Sequence, residues 1–237
     1  MADAQELTNS YNDELFSGSA LRRFYHLARF NWVRDKADKH LDGDLRLIEL
    51  GCYDGRLFDT LGPRVVEYAG LDANWSGGLD LARAKYGSRK DVTLIEATDP
   101  DGFRRFSDRQ FNVAAALETL EHVPPDLVAP YLDQLQRVTR GNLFVTVPNE
   151  LGPVFLAKHL GKKILYGGEQ AYSPSEVLAA ALRQSHKVKR DDHKGFDYRD
   201  VVAEIGKRFE ILAVEGLASF GLPAALSPTV GIFARSR

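Results

Sequence analysis

Apolar positions recur along the chain in two alternating rhythms. Leu45–Leu50, Val65–Leu71, Val92–Ile95, Phe111–Leu117 and Asn142–Val147 are compact apolar runs of strand length, and helical spacing follows most of them. The helices predicted between them are Arg56–Leu61, Leu79–Tyr86 and Asp126 to about Arg140, the last entered through Pro124 and Pro125. Ahead of the first strand, residues 1–20 are polar, with Ser17-Gly18-Ser19 as a helix entry. Leu21, Phe24, Tyr25, Leu27, Ala28, Phe30 and Val33 then recur at helical spacing among arginines. A further helix over Tyr198–Lys207 and strands over Phe209–Val214 and Thr229–Ala234 complete an alternating α/β pattern, the signature of a largely parallel sheet with helices on both faces. The chain reads as a single domain, 1–237, with a helical segment at 1–40.

One stretch breaks the rhythm. Residues 151–195 are far longer than the ~2–6 residue connections usual in such folds, and an insert at that place is expected to cap the mouth of a site. Its portion Val154–Tyr166 is apolar and basic together. That pattern suits a lid helix, and also peripheral contact with a lipid surface or a lipid-linked acceptor. Tyr172-Ser173-Pro174-Ser175-Glu176 marks a second helix start, with Ser173 or Ser175 as the cap.

The first predicted strand runs into a glycine turn and then a helix, a unit that lets backbone pass close to a ligand. A dinucleotide fingerprint would read G-x-G-x-x-G. Here the spacing is Gly51-x-x-x-Gly55 and an acid, Glu49, stands two residues ahead, which suits a ligand with a positive end. Glu49-Leu50-Gly51-Cys52-Tyr53-Asp54-Gly55 resembles the first motif of the class I S-adenosylmethionine (SAM)-dependent methyltransferases, departing at Tyr53, where glycine is usual. The resemblance implies a Rossmann-like sheet of seven strands whose last strand runs antiparallel. It also implies cofactor contacts by Glu49, Gly51, Cys52, Tyr53 and Gly55.

Asp72 ends the second strand about 20 residues beyond the turn, the distance expected of a ribose-binding carboxylate; with Ala73 it resembles the family's ribose segment. Glu96-Ala97 resembles the segment set beside adenine, with Asp99 as a competitor for the same role. Leu117 and Glu118, ahead of Leu120-Glu121-His122-Val123, resemble the segment after the family's fourth strand, while Asn112 stands where the family usually carries Asp. In an open parallel sheet ligands gather at the carboxyl ends of the strands. Glu49, Asp72, Glu96, Glu118 and Asn149 are all expected there.

Methyl transfer to an oxygen needs the acceptor's proton removed, and His122 is of the right type and position for that. His193 is the second catalytic candidate. Glu118, Glu121, His122 and His193 together also have the donor chemistry of a site for a divalent ion such as Mg or Mn. With Pro148-Asn149 and Asp192-His193-Lys194, that set resembles the metal site of methyltransferases acting on the terminal 2′-hydroxyl of small RNAs. The alternative function it implies is metal-dependent 2′-O-methylation of RNA 3′ ends; others are a Rossmann-type oxidoreductase and a non-catalytic SAM-binding protein. The leading expectation is O-methylation of a sugar, glycan precursor or other small metabolite.

Charge narrows the partners. With 31 Lys and Arg against 33 Asp and Glu, the net charge of −2 lacks the basic excess of a general nucleic-acid binder. A single cysteine excludes an internal disulfide framework. No apolar run is long enough to cross a bilayer, and the opening residues lack the order of a signal peptide, so a cytoplasmic location is expected.

Overall fold

The computed structural model describes residues 20–166, 172–191, 193–217 and 221–237. The expected helix entry at 17–19 and Asp192 lie outside these residues. Helix α1 (Ala20–His40) precedes β1 (Leu45–Leu50), α2 (Arg56–Leu61), β2 (Val65–Asp72), α3 (Gly78–Tyr86), β3 (Val92–Glu96) and β4 (Phe111–Leu117). Then come α4 (Pro125–Val138), β5 (Thr139–Pro148), α5 (Pro153–Tyr166), α6 (Pro174–Ala181), α7 (Tyr198–Arg208), β6 (Phe209–Leu217) and β7 (Thr229–Ser236). The seven strands lie in the order β3-β2-β1-β4-β5-β7-β6. Pairing is parallel from β3 to β5, and β7 runs antiparallel to both its neighbours, as expected.

Side chains of β1 alternate between two cores. Leu45 and Leu47 join Phe30, Val33 and Ala37 of α1 and Leu57, Phe58 and Leu61 of α2. Ile48 and Leu50 join α4 and α7 on the opposite face. A strand buried on both sides reads as a continuous apolar run, which explains the sequence of β4 as well. The parity also aims Glu49 at the α1 side. There α1 is fixed by Trp32, whose indole N–H donates to Glu215 (2.8 Å) and whose ring meets Phe144 edge-on. A Cβ on Gly231 would stand only 2.9 Å from that indole, so glycine gives the helix its seat.

Some boundaries differ from expectation: β6 and β7 run on to Leu217 and Ser236, past Val214 and Ala234. Helix α4 stops at Val138 and β5 begins at once with Thr139, so Arg140 lies in the strand. Gly141 permits the close approach, because a Cβ there would be 2.0 Å from the Asn112 carbonyl. The insert holds the two expected helices, α5 and α6, and Ser173 is the cap: with Glu176 it forms a reciprocal capping box. Leu151, Phe155, Ala179, Ala180 and Val188 give this segment a small core of its own. Among the described residues no helix is long and apolar enough to cross a membrane.

Candidate active site

The carboxyl ends of β1, β2, β3 and β4 lie side by side, and the register sets Asp72 directly beside Glu96. The turn after β1 is drawn onto β2 by Gly51 and Cys52, whose N–H groups both donate to the Leu71 carbonyl (2.7 and 3.2 Å). Gly51 (φ +73°) and Gly55 (φ +75°) adopt the left-handed conformation. So does Tyr53 (φ +45°), the residue standing where glycine is usual. Its backbone therefore does what glycine does, against a strain of about 1–2 kcal/mol. Its ring lies across Gly78 at the start of α3, where a Cβ would come within 2.2 Å of Tyr53 Cδ2.

Asp72 is oriented by the backbone on both sides. One carboxylate oxygen accepts from Tyr53 N–H (2.9 Å) and the other from Asn74 N–H (2.8 Å). Asn74, too, has a positive φ of +57°. Ala73 continues from Asp72 as part of the same half-buried turn. Glu96 is exposed and accepts from Arg83 (3.1 Å), while its neighbour Ala97 donates its N–H to the Asp72 carbonyl (2.9 Å). Asp99 caps a following turn by accepting from Asp101 N–H.

Glu49 is 2% exposed and accepts from the Tyr68 hydroxyl at 2.7 Å. Burial pushes its carboxyl up to about 8; the Tyr68 hydrogen bond opposes that shift, Asp54 and Asp72 add to it, and Arg29 of α1 opposes it. Burial likewise raises the neighbouring Cys52 thiol and the Tyr68 phenol. Arg29 also acts on Glu118, and its Nε is buried without a hydrogen-bond partner among the described residues.

At the end of β4 Leu117 is buried and Glu118 takes a left-handed φ of +52°. Its N–H donates to the Thr146 carbonyl (2.8 Å), and its Oε1 is buried with no hydrogen-bond partner among the described residues. Burial raises the Glu118 carboxyl, and Arg29, the Thr146 hydroxyl and Lys158 counter it in part. Strained non-glycine residues thus stand at three strand ends of one crevice, as functional sites tend to have them.

The next turn holds Glu121, His122 and, from the far end of the insert, His193. His122 is exposed, and its ring meets that of His193 edge-on with centroids 4.6 Å apart. Glu121 is 1% exposed, and its carbonyl accepts from Arg190 (2.6 Å). The expected ion-binding set of Glu118, Glu121, His122 and His193 is not assembled: among the described residues no group of three or more His, Cys, Asp or Glu could hold a metal ion.

One other expectation is corrected. Asn149 does not face the crevice; its buried amide donates to the carbonyls of Ala224, Ala225 and Ser227 and fixes the loop before β7. Asn112 lies at the opposite end of β4, accepting from Arg46 N–H and donating to the Asp44 carbonyl, so its departure from the usual Asp leaves the crevice untouched. Sequence reading missed Arg29, Tyr68, Thr119 and Lys158. Thr119 donates to Leu50 and Leu117 carbonyls (3.2 Å each), and a Cβ on Gly51 would come within 2.2 Å of its hydroxyl. Lys158 pairs with Glu150 at 2.6 Å, joining α5 to the residues after β5.

Comparison with known proteins agrees with this geometry. No curated protein matches the chain. Among solved structures, the PH0226 protein of Pyrococcus horikoshii is similar with a TM-score of 0.61 and 14% identity, over 97% of this chain and 99% of that one. The N-methyltransferase NodS of Bradyrhizobium japonicum, in complex with S-adenosyl-L-homocysteine (SAH), gives 0.59 and 11%, over 98% and 95%. A SAM-dependent methyltransferase of Aquifex aeolicus gives 0.55 and 11%, over 90% and 93%. A family model described as a methyltransferase domain matches residues 19–186, a span holding β1 to β5 and every strand end that borders the crevice. The chain therefore belongs to the methyltransferase domain family.

Proposed function

We propose that the chain is an O-methyltransferase acting on a hydroxyl of a sugar, a glycan precursor or another small metabolite. The observation carrying this reading is the meeting of Glu49, Asp72, Glu96 and Glu118 at adjacent strand ends around the Gly51–Gly55 turn. Those residues fit SAM. Asp72, already aimed by two N–H groups, suits the ribose hydroxyls, and Glu96 with Ala97 suits adenine. Glu49 suits a cationic end, and Arg29 beside it suits the carboxylate of the same aminoacyl group. Gly51, Cys52, Tyr53 and Gly55 supply the turn against which the cofactor lies, with Ala73, Leu117 and Glu118 as flanking walls.

When bound, SAM supplies a methyl group on sulfur that is open to in-line displacement. What this chain has to do is hold the acceptor at attack distance and take up its proton. His122, exposed at the edge of the crevice and braced by the His193 ring, suits the second task. The insert 151–195 suits the first, its helix α5 tied to the residues after β5 by the Lys158–Glu150 pair. Incubation with methyl-labelled SAM and a panel of hydroxylated acceptors tests the reading: label should pass to a hydroxyl. Retention of SAM without transfer to any oxygen acceptor would overturn it.

A further inference from the structure

Among the described residues eleven large apolar side chains are exposed, and six of them lie on α5, on α6 with its C-cap Leu182, and on the loop between β6 and β7. Scattered exposed leucines need no explanation, whereas a concentration of them marks a surface that something covers. Leu156 and Leu160 are 38% and 48% exposed and stand four residues apart, on one face of α5; Leu178 of α6 and Leu182, the residue capping its C-terminal end, are 62% and 59% exposed at the same spacing. Leu226 adds 45% from the short turn Ala224–Leu226. These elements are tied together. Helix α5 packs on both α6 and that turn, Gly152 N–H donates to the Ala180 carbonyl, and Arg183 donates to the Ala225 carbonyl at 2.8 Å.

Charge decides what could cover this face. Residues 151–195 hold eight Lys and Arg against four Asp and Glu, so the insert is net positive by four; the remainder, with 23 against 29, is net negative by six. Lys187 and Lys189, just beyond Leu182, are exposed. A second copy of the chain would bring the same net-positive segment against itself. Nucleic acid would call for exposed aromatic platforms, and the exposed side chains here are leucines. Leucines flanked by lysines complement a surface of negative headgroups over hydrocarbon.

We propose that the insert docks the protein peripherally on anionic bilayers through Leu156, Leu160, Leu178, Leu182 and Leu226, with Lys187 and Lys189 facing the headgroups. The docking is independent of the chemistry in the crevice, so it stands or falls apart from the methyl-transfer reading. Co-sedimentation with phosphatidylcholine vesicles, with and without phosphatidylglycerol, tests it. Binding should be at least about tenfold tighter to the anionic vesicles and should weaken as salt is raised. The exposed pair Leu178→Glu/Leu182→Glu should lower vesicle affinity by about tenfold or more while leaving the melting temperature and SAH affinity unchanged. Lys187→Glu/Lys189→Glu should remove the preference for anionic lipid. No sedimentation with anionic vesicles, or sedimentation of either variant equal to that of the wild-type protein, would overturn the proposal. So would a wild-type dimer that Leu178→Glu/Leu182→Glu converts to monomer, since the face would then belong to a second copy.

Discussion

The two halves of the crevice are built differently. On the side of β1, β2 and β3, polar groups are held by the frame itself: Asp72 by two backbone N–H groups, Glu49 by the Tyr68 hydroxyl at the adjacent strand, and the turn by the Leu71 carbonyl. On the side of β4 and β5, the equivalent positions depend on segments far away in the chain. Glu118 has one buried oxygen lacking a partner among the described residues, His122 leans on His193, and Lys158 reaches Glu150 from an insert with its own small core. The first half is fixed before a ligand arrives. The second leaves its capacity to be completed by what enters.

The largest expected effect separates the halves by function. His122→Ala should slow methyl transfer by about 10²–10⁴-fold, the usual contribution of a general base, with SAH affinity within twofold by calorimetry. A matching loss of SAH affinity would mean that the two halves share one task. Asp72→Ala should do the reverse, weakening SAH by about 10–100-fold, since hydrogen bonds to a charged group are worth roughly 1.5–3 kcal/mol. Unchanged affinity would show that the ribose lies elsewhere.

Glu49 gives the next test, through pH. Its carboxyl is held near 8 in the folded protein against an ordinary value of 4.5, so between those values it is neutral when folded and ionised when unfolded. Its contribution to stability is therefore complete below about 4.5 and is lost as pH rises towards 8. A cationic ligand end favours the carboxylate, so binding releases a proton. SAM affinity should rise with pH up to about 8, by at most about tenfold per pH unit for one proton. Glu49→Gln should flatten that dependence, and a slope surviving the substitution would assign the proton to another group.

The smallest effect concerns the insert alone. The Lys194 ammonium, with backbone N–H groups, holds the Glu176 carboxyl down at about 2. The tether it makes is whole above about 4.5 and fails as pH falls towards 2. Glu176→Gln should speed amide exchange in residues 174–191 and leave SAH affinity unaltered; a change in affinity would tie the cofactor side to the insert.

Legibility in the sequence follows the same division. β1 to β4, and the acids that end them, announce themselves because strands buried on both faces are apolar runs broken where the chain must meet a ligand. Even the departure at Tyr53 was visible, although not its remedy, since the glycine that receives its ring lies at position 78. Asn149 looked like a member of the crevice because it ends a strand. Its three carbonyl partners lie 75 to 78 residues away, in a loop whose path no local pattern records. Arg29 was hidden similarly, though the alternation of Leu45, Leu47 and Glu49 pointed towards α1.

Thr119 fills the notch that Gly51 leaves open, and its single hydroxyl reaches the carbonyls that close β1 and β4. It acts as a rivet between the turn that would grip the cofactor and the turn that bears His122, so displacement of one is carried to the other through a few atoms. Serine could keep the rivet while loosening its fit. Valine could keep the fit while leaving both carbonyls without that donor, and the two loops would then be free to drift apart.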